Sequence, residues 1–440
     1  MDKAERRESS GEPGTQAVVV GGRGGRAHGW LRRLVVELGP RRGDGDVAST
    51  TVLDELTLRV DMKQPWASWP TNLTGQAGVV TAPEQLDSGK EQSSRVPIGT
   101  GPFKYQSWTP DKTVEAVRNP SYWHPGLPYL EAVSFRPITD SGSRVTALQA
   151  GDINVTITSR NEDIAKLDGL AASGTIRVVR SQGESNENLV LLNTAKAPTN
   201  DLRVRQAMAY AIDRVTFRAV TGSPEELSAN GMFASDSKWY SAASQDQYPT
   251  FDLEKAKQLV QDYESEIGPI QFELGATSDP VVIRSAQLLQ AQFQDAGMDV
   301  SVKTLEQSAY ITNAVTGDYT AQMWRQFGAP DPDGDYTWFL GANDTRGLSL
   351  NMARKQDPQV DAALNDQRAT NDLARRQADW ATITARHNAD LPYLWLAHQP
   401  YAMATDPTVR GLDGGRLPDN SPRAGLVNGV MGLAEFWLDS

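Results

Sequence analysis

Cysteine is absent from the chain. Disulfides, thiolate metal sites, cysteine nucleophiles and a lipid-modified N-terminal cysteine are thereby excluded, while the compartment stays open, since many exported proteins also lack disulfides. Histidine is scarce: His28, His124, His387 and His398 are the only four, and their spacing matches no metal motif. Long apolar runs are missing too, and no stretch approaches the roughly 20 residues that cross a bilayer. Met1–Pro13 is polar and Ala17–Val20 is far shorter than the apolar centre of a signal peptide, so the chain reads as lacking an export signal. Basic charge is in deficit. The net charge of −12 argues against a nucleic-acid partner, because a polyanion needs a basic surface. No phosphate-binding loop and no nucleophile motif occurs. The sequence calls for no cofactor and no metal.

What is present is ordinary globular text, and 440 residues leave room for two or three domains with sizeable cores. Residues 1–50 stand apart, dense in Gly and Arg from Gly21 to Arg26 and again at Arg32, Arg33, Arg41 and Arg42. Ala17–Val20 followed by Gly22, Gly24 and Ala27 superficially matches a dinucleotide fingerprint, but no second strand with a ribose-binding acid follows. An RNA-binding tail is the second reading, and a disordered segment outside the fold is the one favoured here.

From Thr51 onward, period-2 and period-3.6 patterns alternate. Leu56, Leu58 and Val60 predict a strand, as do Thr113–Val117 and Val133–Phe135. Asn200 is read as the cap of a helix carrying Val204, Ala207, Met208 and Ala211, and Asp252 as the cap of another. Between Ile270 and Arg325 the pattern is strand, helix, strand, helix, strand, with Gly297 as a C-terminal stop. That order predicts a parallel α/β sheet with right-handed crossovers. Such sheets bind ligands beyond the carboxyl ends of their strands, which directs attention to the loop after Trp324.

Two blocks carry a family likeness. The first runs through Gly99–Phe103, Trp108, Arg118-Asn119-Pro120, Tyr122-Trp123, Pro128-Tyr129-Leu130, Arg144, Ala147-Leu148-Gln149 and Gly151-Asp152-Ile153. The second comprises Asn193-Thr194, Pro198, Asp201, Arg203–Ala207 and Tyr210–Arg214. Together they resemble the extracytoplasmic solute-binding proteins of ABC importers, family 5, from about Thr51 to the C-terminus. Read without the likeness, Trp108 and Trp123 are packing residues and Arg203 and Arg205 are solvated or paired on a helix face.

The resemblance implies an α/β, two-lobed periplasmic-binding-protein fold (type II, cluster C-like) with a partial small sub-domain. Residues 51–97 would be the remnant of that sub-domain. Residues 98–187 and 405–440 would form a discontinuous lobe I, and 188–404 lobe II. It further implies a monomer outside the cytoplasm that captures a peptide or other small molecule and delivers it to an ABC permease. Relatives carry opening strands that the Gly/Arg segment replaces here, so the chain reads as N-terminally truncated or mis-started.

Within the loop 326–339, Asp331 and Asp333 are candidates to hold a ligand. In peptide-binding relatives a carboxylate for the ligand ammonium sits where this chain has Gly328. Trp324 is the candidate aromatic platform, and Asn186 and Asn188, where the chain crosses between lobes, the candidate amides. The alternatives are a calcium loop at Asp331, Asp333 and Asp335, a carboxylate-dependent hydrolase, or a non-functional fragment of a binding protein.

Overall fold

The structure is a computed structural model, and it describes residues 15–19, 47–54, 57–73, 82–181, 186–326, 328–329, 331–343, 348–416, 420, 423–427 and 429–439. Three strands, β1 (Thr15–Val19), β2 (Val47–Val52) and β3 (Thr57–Met62), form an antiparallel sheet in the order β1-β3-β2. Leu58 and Val60 of β3 are buried, the period-2 signal of a strand with one covered face. Part of segment 1–50 is therefore built into the fold, contrary to the sequence expectation. Short strands rich in Val and Thr flank the Gly/Arg run, and each edge of β3 gives one of them a hydrogen-bonding partner. The Gly/Arg run itself, with the dinucleotide-like glycines, lies outside the described residues.

Next comes an antiparallel meander of β4 (Phe103–Thr109), β5 (Thr113–Arg118) and β6 (Ala132–Phe135). None of the buried core clusters draws on it. Trp108 and Trp123 are 45% and 72% exposed, so neither is a core residue; of the core and inter-strand packing roles the sequence suggested, Trp108 keeps a place opposite Val114 on the neighbouring strand.

Lobe I is built from α1 (Ser141–Ala150), β7 (Val155–Thr158), α2 (Asn161–Ala172) and β8 (Arg177–Arg180). The chain then crosses into lobe II, which opens with β9 (Glu187–Leu192), α3 (Leu202–Ala211), α4 (Arg214–Thr221) and α5 (Leu253–Glu266). There follow β10 (Gln271–Thr277), α6 (Pro280–Asp295), β11 (Asp299–Leu305), α7 (Gln307–Thr316) and β12 (Ala321–Gln326). After a 3-10 turn at Pro332–Asp335, α8 (Pro358–Arg368), α9 (Leu373–Asp390) and β13 (Tyr393–His398) complete the lobe. β14 (Ala402–Thr405) then returns to lobe I, inserting between β7 and β8, so the return crossing falls a few residues before the expected 404/405 boundary.

The lobe II sheet has the order β11-β10-β12-β9-β13. Its first three strands are parallel, as the strand–helix alternation demands, but β9 runs antiparallel between β12 and β13, making it mixed. Gly297 stops α6 with φ at 103°, a conformation glycine tolerates. Asp252 caps α5 through Lys255 N–H, whereas the cap of α3 is Asp201 rather than Asn200, its carboxylate accepting from Arg203 N–H. Arg203 pairs with Asp201 and Glu266. Arg205 is buried and donates to the carbonyls of Thr199, Asn200 and Asp390.

One buried ion pair ties the N-terminal sheet to lobe II. Asp333, 2% exposed, accepts from Arg368 Nε at 2.9 Å and Gln367 Nε2 at 2.5 Å, and from Trp66 Nε1 and Ser68 Oγ, each at 2.6 Å. The Arg368 guanidinium lies between the rings of Trp66 and Tyr336. Loss of Asp333 would leave the buried Arg368 guanidinium without its counter-charge, and removing one member of such a pair costs about 3–5 kcal/mol. Asp333→Ala should therefore lower the free energy of unfolding in urea by that amount. A loss below about 1 kcal/mol, the range of exposed pairs, would show that the network is solvated.

Candidate ligand-binding site

Two segments cross between the lobes, one ending at β9 and one following β13, and Gln399 N–H to the Asn186 carbonyl at 2.7 Å pins them together. Beside this crossing lies a cavity of about 420 Å3, walled by Ser159–Glu162 of lobe I and by Thr277, Asp279, Tyr310, Trp324 and Arg325 of lobe II. That volume falls within the range of about 300–1,000 Å3 that small-molecule sites occupy.

Each wall follows from local sequence. Trp324 sits on β12 opposite Leu189 of β9, half-buried, its ring stacked on Tyr310 at 5.6 Å and 16°. Asp279 caps α6 with one carboxylate oxygen, accepting from Val281 N–H at 2.8 Å. Its other oxygen accepts from Arg160 Nη2 across the gap at 2.6 Å. Arg160 occupies the N-cap position of α2, where its side chain caps nothing, leaving the guanidinium to reach the opposite lobe. Arg325 donates from Nη1 to Ser159 Oγ at 3.2 Å. Gln399 takes a hydrogen bond from Asn188 Nδ2 at 2.7 Å and gives one to the Ser159 carbonyl.

Of the residues singled out in the sequence, Trp324 and Asn188 meet at this cavity. The other three are engaged elsewhere. Asp331 holds Arg376 with both oxygens, at 2.5 and 2.8 Å, and caps the 3-10 turn. Asp333 is consumed by the network described above. A carboxylate so held gains nothing by turning to a ligand, because it would strand a buried guanidinium. Asn186 is fully buried, its Oδ1 accepting from Gly328 N–H at 3.1 Å, so it fixes Gly328 in the loop after β12. The three aspartates of the calcium-like spacing thus face three different sets of partners. Arg160, Asp279, Tyr310, Arg325 and Gln399 went unnoticed in the sequence; the acidic cap before Pro280 was the one signal that could have exposed Asp279.

Behind Trp324 lies a second, narrow chamber of about 10 Å3, bounded in part by Glu187, Gln326, Trp338, Tyr393 and Trp395. Glu187 is 2% exposed and its Oε1 has no hydrogen-bond partner. Burial pushes its carboxyl well above the ordinary range, reinforced by the nearby Asp335. Asp335, equally buried, accepts from Gln326 Nε2 at 2.9 Å and is pushed up to about 7, chiefly by burial.

A clamshell of two α/β lobes with a solvent cavity at the crossing defines a ligand-capturing protein of the periplasmic-binding type. Residues 12–347 match the family model of bacterial extracellular solute-binding proteins, family 5, and the chain belongs to that family. The match begins well before Thr51, in keeping with the pairing of β1 on β3. A glutathione-binding protein from Pectobacterium atrosepticum is 23% identical over 83% of this chain and 71% of its own length. The Haemophilus influenzae protein named heme-binding protein A is 27% identical, covering 82% and 66%. Among solved structures, Helicobacter pylori DppA in complex with the peptide STSA superposes with a TM-score of 0.76 at 23% identity, over 90% of this chain and 74% of that one. AgaA from A. tumefaciens with agropinic acid gives 0.77 at 20% identity, over 93% and 83%.

The raised carboxyls set a pH dependence. A carboxyl whose folded pKa lies above its unfolded value binds more protons in the folded state, so its contribution to stability is complete below the unfolded value and is lost as pH climbs. For Asp335 the window runs from its ordinary 3.8 to about 7. Asp335→Asn should flatten the melting temperature across that window, measured by calorimetry. An unchanged slope would place the Asp335 carboxyl in contact with water.

Proposed function

We propose that this chain captures a small solute in the cavity between its lobes and hands it to a membrane permease of an ABC importer, outside the cytoplasm. The observation that carries the reading is the cavity itself, walled by both lobes and by the segments that cross between them, so that closure and binding are one event. Trp324 is the platform on which an apolar part of the solute lies, and Asn188 and Arg325 are the polar groups that orient it. Family membership and the superposition on ligand-bound proteins support this role. Hydrolysis is not supported, because two of the carboxylates considered for it, Asp331 and Asp333, are held by arginines.

The glutathione, heme and peptide named for the relatives and neighbours set the range to search. A panel of di- and tripeptides, sugars, opines and metal chelates, read by thermal shift, should yield one chemical class that raises the melting temperature saturably. For that solute, Trp324→Ala should weaken binding by about 1–3 kcal/mol through lost apolar burial. Because Trp324 is half-buried on Tyr310, the same variant should also lose stability, but less than the about 3–5 kcal/mol expected for the fully buried Trp380→Ala. Full affinity in the folded Trp324→Ala protein would move the solute off this wall.

A further inference from the structure

We infer that the chamber behind Trp324 is a cation subsite that takes one water-sized, N–H-bearing monocation, an ammonium group, with Glu187 as its counter-ion. Four observations converge. The volume of about 10 Å3 is the room of a single water-sized group. Its one unpartnered polar atom among the described residues is an acceptor, Glu187 Oε1, held at 2% exposure on a rigid strand. Its walls are apolar and in part aromatic: Leu189, Leu191, Met232 and Met352 stand beside Trp324, Trp338, Tyr393 and Trp395, whose ring surfaces attract a cation. No Lys, Arg or His lines it among the described residues.

The groups facing Glu187 leave the positive role open. Asp335 and Asp333 stand on the adjacent 3-10 turn, and Tyr393 and His398 on β13. His387 approaches from α9 through its stacking on Phe339 and Tyr393. Burial pushes both His387 and His398 down to about 4, so they are neutral near neutral pH. Arg368 and Arg376 are already paired with Asp333 and Asp331. Without a cation, burial and then Asp335 favour the protonated form of Glu187. Entry of an ammonium group therefore displaces a proton from the carboxyl to solvent and leaves an ion pair of N–H donors on the carboxylate.

Trp324 walls both the chamber and the large cavity. The ammonium has two possible sources: free ammonium ion, or the end of an alkylamine whose body lies in the cavity. The second source rests on the solute-binding reading above, and the first does not.

The test is isothermal titration of the full chain with ammonium chloride, propylammonium chloride and, as the uncharged counterpart, propanol, against a potassium chloride background. Binding of at least one ammonium compound should be saturable, should release a proton detectable from the buffer dependence of the heat, and should tighten as pH rises. Glu187→Gln keeps the shape and should weaken binding by about tenfold or more; Glu187→Leu, apolar on the same buried strand, serves if that variant fails to fold. Tight propylammonium with weak ammonium assigns the site to a ligand's end, and equal affinities to the free ion. Propanol binding as well as propylammonium, or undiminished affinity in the Glu187→Gln protein, overturns the subsite. A solute that binds the cleft while no ammonium compound binds removes the subsite and leaves the cleft reading intact.

Discussion

The buried carboxylate of Asp333 is the constraint on which the rest of the arrangement rests. A charge at 2% exposure is tolerable only with every oxygen lone pair engaged, and here four side chains converge on it from two other parts of the chain. Trp66 and Ser68 come from the segment after β3, Gln367 and Arg368 from the end of α8. Asp333 itself belongs to the turn that follows β12. Satisfying one aspartate thus docks the N-terminal sheet, holds α8 and fixes the loop directly beyond Trp324. The neighbouring Asp331–Arg376 pair extends the hold to α9. The position of the cleft wall is in this sense a consequence of electrostatic bookkeeping elsewhere.

Against that fixed wall, the junction between lobes is held by contacts of a different kind. Arg160 to Asp279, Arg325 to Ser159 and the Gln399 bonds to Asn188 and Ser159 are partly exposed, and such pairs are worth about 0–1 kcal/mol each. Strong interactions stay within lobe II and its docked sheet, weak ones span the gap. A difference of that kind is what lets lobes part and close without unfolding, and it places the solvent cavity where motion is cheapest. Neither cavity wall depends on a disulfide, since the chain has no cysteine.

The scaffold was largely legible in the sequence because its signals are periodic. The block from Ile270 to Trp324 alternates apolar positions at 2 and 3.6 residues, and the parallel strands follow directly. The added strands β9 and β13 could not be read this way, since a fully buried strand such as Glu187–Leu192 shows an apolar run and no partner. Composition misled at the N-terminus: the Gly/Arg run masked short strands whose only merit is to complete β3. Of the candidate residues, Trp324 and Asn188 line the cavity, and the sequence marked them as a strand end and a crossing. Asp331 and Asp333 are engaged elsewhere, which the sequence hid because an acidic loop looks the same whether its carboxylates await a ligand or are matched by Gln367, Arg368 and Arg376 some 34 to 45 positions away. Asn186 failed for a similar reason, its amide being turned to Gly328. Glu187 had one legible mark, a lone acid at the head of an apolar strand.

The central claim is that the two lobes close on a solute. The chain's lack of cysteine makes it directly measurable, because spin labels can be placed on Lys166→Cys in α2 and Gln261→Cys in α5, both exposed and on opposite lobes, with no competing thiol. Pulsed electron–electron distance measurements with and without a saturating solute from the thermal-shift panel should show a broad distribution that narrows and shortens on binding. A distribution that stays unchanged while the solute is bound would contradict closure, and with it the account of the cleft as the capturing site.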